Sequence, residues 1–294
     1  MPNPAQAIET RPSLPNAAHL GLVKLWVSDL DRQVAFYTQA IGLQVISQNS
    51  SQASLGAGRQ ELLRLSVKAG SRAYHDRAGL YHFCLLIPER RQFALALRRL
   101  DKAEAPFQGL VDHRMAEAIY LADPEGNGIE LNWDKPRSEW EGKLEKLISM
   151  GNLALDVDGL MLLADGPGAD SGLLPAGTSL GHVHLHVADR AASRRFYHEL
   201  LGMDITGEYP GQAVFTSAGG YHHHIAFNIW HGHGAPEPPL DASGLDWFSV
   251  VLPSARARDI VAERFRAAGL KLEELPEGLL ARDPAGNGLL LGLA

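Results

Sequence analysis

Asp123-Pro124-Glu125-Gly126-Asn127-Gly128 returns 160 residues later as Asp283-Pro284-Ala285-Gly286-Asn287-Gly288, and each copy runs on into an apolar segment. A second pair keeps the same offset. Val27-Ser28-Asp29, Phe36-Tyr37 and Ile41-Gly42-Leu43 recur as Val187-Ala188-Asp189, Phe196-Tyr197 and Leu201-Gly202-Met203. Two motifs displaced by one constant distance make the chain an internal duplication. Each half also starts anew midway, at Leu80-Tyr81-His82-Phe83 and at Leu245-Asp246-Trp247-Phe248, so the duplication resolves into four modules.

The modules share a local pattern: an apolar β-rich run, a polar helix start, an amphipathic helix, then short strands separated by Gly-rich turns. In the first, Leu22 to Val27 reads as a strand and Asp29 as an N-cap. Val34, Phe36, Tyr37 and Ile41 lie near one helical face, with Gly42 at the stop. In the second, Gln92 to Leu100 reads as a helix, and Ala118 to Ala122 and Gly128 to Trp133 as a hairpin turning through the Asp-Pro-Glu-Gly-Asn-Gly motif. The organisation expected is a tail over 1–18, modules 1 and 2 over 19–133, a connector over 134–178 with a short helix at Glu139 to Met150, and modules 3 and 4 over 179–294.

Composition narrows the chemistry. With 294 residues, 45% hydrophobic and 21% charged, the chain can bury a substantial core, which excludes disorder. A net charge of -7 argues against a nucleic-acid partner, since binding the phosphate backbone needs a basic surface. The N-terminus lacks a signal-peptide pattern. The most hydrophobic candidate, Leu153 to Leu163, carries Asp156 and Asp158 and is too short for a membrane span, so a cytoplasmic location is expected. Thirteen His stand against a single Cys, Cys84, so a metal site would be built from imidazole and carboxylate.

Four βαβββ modules, opening with strand-Asp-helix-Phe-Tyr-Leu-Gly or ending with Asp-Pro-Xaa-Gly-Asn, resemble the vicinal oxygen chelate superfamily, which includes glyoxalase I and the extradiol catechol dioxygenases. The likeness is greatest to the bacterial catechol 2,3-dioxygenase type, through Gly79-Leu80-Tyr81-His82-Phe83, Gly181-His182-Val183-His184-Leu185-His186 and Tyr221-His222-His223-His224-Ile225. It implies an α+β fold of two open mixed β-barrels, each made from two modules.

In that superfamily metal ligands come from a module's first strand and from its last. Aligning the modules puts Leu22, His82, His182 and Trp247 at the first-strand position, and Glu130 and Leu290 at the last-strand position of modules 2 and 4. Only His82, Glu130 and His182 are ligand types, and two His with one carboxylate form the facial triad suited to Fe(II). No pairing of sequential modules collects all three. A single metal site therefore predicts that modules 2 and 3 form the active barrel and modules 1 and 4 a metal-free one, unlike the sequential pairing of the best-known extradiol enzymes.

His182, His184 and His186 alternate with apolar residues, which puts the three imidazoles on one strand face. Side chains two apart on a strand are separated by roughly 6.5–7 Å, wide for one small ion. His182 is taken as the ligand and His184 as its support or a substrate contact. In His222-His223-His224 the same alternation sends His223 to one face and its neighbours to the other. The resemblance makes His223 the residue that moves protons to and from substrate, and Tyr120 the one lying over the ring. His113 is expected at the mouth of the site. His19, His75, His198, His231 and His233 have no motif support, and the Gly-rich loop around His231 and His233 reads as a lid.

The resemblance thus implies an extradiol ring-cleaving dioxygenase. Its partners would be a small aromatic diol and O2, and its cofactor Fe(II), with Mn(II) as a substitute. Neither nucleic acid nor membrane is a partner, and exposed sheet edges leave room for a homo-oligomer. The alternative within the fold is a glyoxalase-like lyase or isomerase using Ni or Zn on a thiol adduct; a non-catalytic small-molecule binding protein is the third reading.

Overall fold

In the computed structural model residues 13–168 and 170–294 are described; the first twelve residues of the expected tail lie outside them. Two open mixed sheets of eight and nine strands hold the architecture. The smaller runs Glu273–Leu275, Gly278–Arg282, Gly288–Leu293, Gly244–Leu252, His19–Val27, Gln60–Val67, Gln52–Ala57, Gln44–Gln48. The larger runs Asp204–Tyr209, Ala213–Ser217, Ile225–Asn228, Ser179–His186, Gly79–Leu86, Gly128–Asp134, Ala116–Ala122, Gly109–Asp112, with Leu153–Ala154 of the connector at its edge. First strands meet antiparallel at the centre of each sheet, module 1 beside module 4 and module 2 beside module 3. One register governs both: Val23 faces Phe248 and Lys24 faces Trp247 in one sheet, Val183 faces Phe83 and His184 faces His82 in the other.

The repeated motifs are what tie the sheets together. Tyr37 of module 1 donates its hydroxyl to Asp123 Oδ2 of module 2 at 2.9 Å, and Tyr197 does the same to Asp283 at 2.9 Å. Asp123 also accepts from the Asn127 side chain and from the backbone N–H of Glu125 and Asn127, so a buried carboxyl, pushed up by desolvation, is fully engaged. The last glycine of each motif permits a close approach. A Cβ at Gly128 would lie 2.0 Å from the Tyr81 carbonyl oxygen, and one at Gly288 2.3 Å from that of Asp246.

The first helix begins at Asp29 and stops at Gly42 as read, but its second half is wider than an α-helix. Asp29 caps Leu30–Phe36 by accepting from Arg32 N–H, and the turn then widens to a π-helix over Tyr37–Ile41; the second half repeats this at Arg190–Arg194 and Arg195–Leu201. Gln92 to Leu100 lies within Arg90–Lys102. The single helix expected at Glu139 to Met150 is instead two, Arg137–Trp140 and Leu144–Ser149, because Gly142 between them adopts φ 72°. Among the described residues no helix is long and apolar enough to cross a membrane.

Candidate metal centre and its cavity

His82, Glu130 and His182 come from three adjacent strands. Parallel pairing sets Cys84 opposite Glu130, and antiparallel pairing sets His82 opposite His184. The three donor atoms converge. His182 Nε2 lies 2.7 Å and His82 Nε2 2.9 Å from Glu130 Oε2, and the two Nε2 atoms are 3.2 Å apart. Each residue is buried, Glu130 to 1% exposure. Burial alone would raise the Glu130 carboxyl, but the imidazoles of His182 and His82 outweigh it and hold it well below the usual carboxylate range. His182 is itself lowered, by burial first, with Glu130 opposing.

The donor set fits a divalent cation. Donors at about 2.1 Å from one centre and at right angles lie about 3.0 Å apart, and the observed triangle matches one face of such an octahedron. Both Nδ1 atoms are buried without a hydrogen-bond partner among the described residues, so the polar chemistry of the two rings is concentrated on their Nε2 edges. The other sheet supplies the contrast: at the equivalent positions Leu22, Trp247 and Leu290, with Leu280, form a buried apolar cluster. The same backbone carries a polar triangle in one sheet and a hydrocarbon plug in the other.

A cavity of about 320 Å³ is lined by His82 and Glu130 of the triad, within the size range of small-ligand sites. Val111, Met115, Leu147, Ile148, Phe215 and Trp230 contribute apolar wall. Two hydrogen-bonded arms reach into it. Tyr120, whose ring meets His82 edge-on, bonds through its hydroxyl to His113 Nε2 at 2.7 Å, and His113 Nδ1 bonds Asn152 Oδ1 at 2.8 Å. Burial, then Glu130, raises the Tyr120 phenol well above its ordinary value, which keeps it protonated. On the other side the His223 ring lies 4.1 Å from that of His182, and His223 Nδ1 is 2.9 Å from His222 Nδ1. Burial, then the neighbouring imidazoles of His182 and His222, hold His223 well below its ordinary value, leaving it neutral.

His184 lines the cavity beside His82, with Asn228 Nδ2 donating to its Nε2 at 2.9 Å. The predicted alternation at His222–His224 does not hold. His222 lines the same cavity as His223, because residues 221–224 bend ahead of the strand Ile225–Asn228 and do not share its pleat. His231, left without a role, stacks on His186 with ring centroids 3.6 Å apart and faces a separate cavity. Sequence reasoning did not find Asp134, Tyr221 or Asn152. The connector's apolar Leu144, Leu147 and Ile148 packing against Met115 and Tyr221 was readable only as helical spacing.

Fold and site together define a two-sheet glyoxalase-type protein with a His, His, Glu cluster. The sequence profile of the Glyoxalase/Bleomycin resistance protein/Dioxygenase superfamily matches residues 18–131 and 179–289, and the chain belongs to this family. It is 42% identical over 282 residues to the catechol-2,3-dioxygenase of Bacillus subtilis, covering 95% of this chain and 98% of that one. Solved structures show the fold. A Bacillus subtilis protein superposes with TM-score 0.66 at 12% identity, covering 96% of this chain and 86% of that one. Glyoxalase I of Zea mays does so with TM-score 0.59 at 17% identity, covering 94% and 92%.

Proposed function

We propose that the chain is an extradiol ring-cleaving dioxygenase that opens a catechol to a muconic semialdehyde, with both atoms of O2 entering the product. The observation that carries this reading is the convergence of His82 Nε2, His182 Nε2 and Glu130 Oε2 beside a cavity lined by His82, Glu130, His223 and Tyr120. The catechol-2,3-dioxygenase named above, similar along nearly its whole length, supports the same chemistry. His82, Glu130 and His182 would hold Fe(II), which when bound supplies an electron path between a chelated diol and dioxygen; Mn(II) suits the same donors.

The chain's own groups do the rest. His223, neutral and beside His182, is placed to take the proton from a diol hydroxyl and to return it later. Tyr120, held protonated, gives its hydroxyl hydrogen to His113 Nε2, whose Nδ1–H faces Asn152 Oδ1, and leaves its oxygen lone pairs to accept from a substrate hydroxyl. Phe215 and Trp230 supply aromatic wall for an aromatic substrate and limit water beside it. His184, fixed by Asn228, supports the wall next to His82. The test is anaerobic purification, addition of Fe(II) and catechol, then oxygen, with oxygen uptake and the yellow ring-fission product recorded together. Stoichiometric uptake with product is expected; iron-loaded protein that consumes no oxygen with a panel of catechols defeats the reading.

A further inference from the structure

Asp134 closes the strand that carries Glu130, and no motif points to it. Its Oδ1 lies 3.1 Å from His222 Nε2, and its Oδ2 accepts from the Tyr221 hydroxyl at 2.8 Å. A carboxylate can only accept, so His222 Nε2 carries a hydrogen. In a neutral ring with that hydrogen placed, His222 Nδ1 is an acceptor. The 2.9 Å contact between His222 Nδ1 and His223 Nδ1 then requires the hydrogen on His223. What remains for the cavity is His223 Nε2 with a free lone pair.

We propose that Asp134 is a positioning residue: acting through His222, it fixes His223 as the Nδ1–H tautomer and so presents an unprotonated Nε2 to the substrate cavity. A proton arriving at Nε2 leaves every bond in the chain Asp134, His222, His223 as it was, whereas the opposite tautomer would first have to shed the hydrogen it holds there. Tyr221 occupies the second carboxylate oxygen and keeps the first aimed at His222. Buried His222 also packs against Trp140 and Tyr221, which prevents its ring from turning away.

The other sheet indicates that this chain is a chemical device and not a requirement of the fold. Aligned through Val23 with Leu63 and Val183 with Ile225, it has Glu61 where His223 stands and Gln60 where His222 stands, and Ala294 takes the place of Asp134. The Tyr–Asp bonds that tie the sheets together are kept in both halves; among the described residues the Asp–His–His chain occurs only beside the polar triangle.

The inference rests on the dioxygenase reading only for what the bare nitrogen does to substrate. Tautomers are read directly from the full-length, metal-free chain by long-range ¹H–¹⁵N correlation on histidine-labelled protein, with signals assigned by their loss in His222→Gln and His223→Gln. The expected result is Nε2–H for His222 and Nδ1–H for His223. Asp134→Asn, which can donate as well as accept, should give His223 a visible Nε2–H population. In iron-loaded enzyme Asp134→Asn should lower kcat about tenfold or more, with KM and iron content within about twofold. Finding His223 as Nε2–H in the parent, or unchanged by Asp134→Asn, overturns the proposal. Parent protein with the expected tautomers and no oxygen uptake sinks the dioxygenase reading alone.

Discussion

Replacing Glu130 by Gln keeps the side chain's shape and removes the one negative charge among three converging donors. In the structure that carboxylate is buried to 1% exposure and contacted by two Nε2 atoms at 2.7 and 2.9 Å, so no other anion takes its place in the triangle. Changing a group that merely steadies a metal ligand lowers metal affinity by about 10–100-fold. Loss of a charged ligand exceeds that range, which sets the expected loss at more than about 100-fold, or about 2.8 kcal/mol at about 1.4 kcal/mol per tenfold. The assay is anaerobic Fe(II) titration against a competing chelator, beside Leu290→Met, a volume-conserving change at the equivalent position of the other sheet. Leu290→Met should bind iron as the parent does. Glu130→Gln that binds within tenfold of the parent would refute the assignment of the triad.

Three further outcomes follow from the same geometry. Tyr37→Phe and Tyr197→Phe should each lower stability in chemical denaturation by about 1.5–3 kcal/mol, because each removes one hydrogen bond to a buried carboxylate; no loss in either would mean the repeated motif does not tie the sheets. Leu290→Ala, emptying the plug of Leu22, Trp247 and Leu280, should cost about 2–5 kcal/mol and leave iron stoichiometry unchanged; iron loss would contradict a metal-free second sheet. Burial lowers His224 from its ordinary 6.5 to about 3. The unfolded chain therefore binds that proton first as pH falls, and the contribution, full above about 6.5, is lost on the way down to the native value. His224→Gln should make stability less steep between about pH 6.5 and pH 4, by up to about 1.4 kcal/mol per pH unit; an unchanged slope would contradict a buried neutral His224.

How much of this was readable in the sequence depends on how far each feature reaches along the chain. The constant offset between the Asp-Pro-Xaa-Gly-Asn-Gly motifs, and the count of ligand types at Leu22, His82, His182 and Trp247, carried the modular fold and pointed to strand pairing of module 2 with module 3. These depend on short motifs repeated in register. Strand alternation worked for His182, His184 and His186, which lie inside one strand, and failed for His222, which lies just before one. Asp134 could not be picked out, because a carboxylate at a strand end is usually a turn residue and its partners are 87 and 88 residues away. Gly142 was visible in the sequence, but its left-handed backbone, which splits the connector helix and aims Leu147 and Ile148 at the cavity, is a tertiary outcome.

The most direct test of the central claim is diffraction at the iron absorption edge from crystals of full-length protein loaded with Fe(II) without oxygen. One anomalous peak among His82 Nε2, His182 Nε2 and Glu130 Oε2 is predicted, with none beside Leu22, Trp247 and Leu290. A peak elsewhere, or none at the triad in protein that binds iron stoichiometrically in solution, would contradict it.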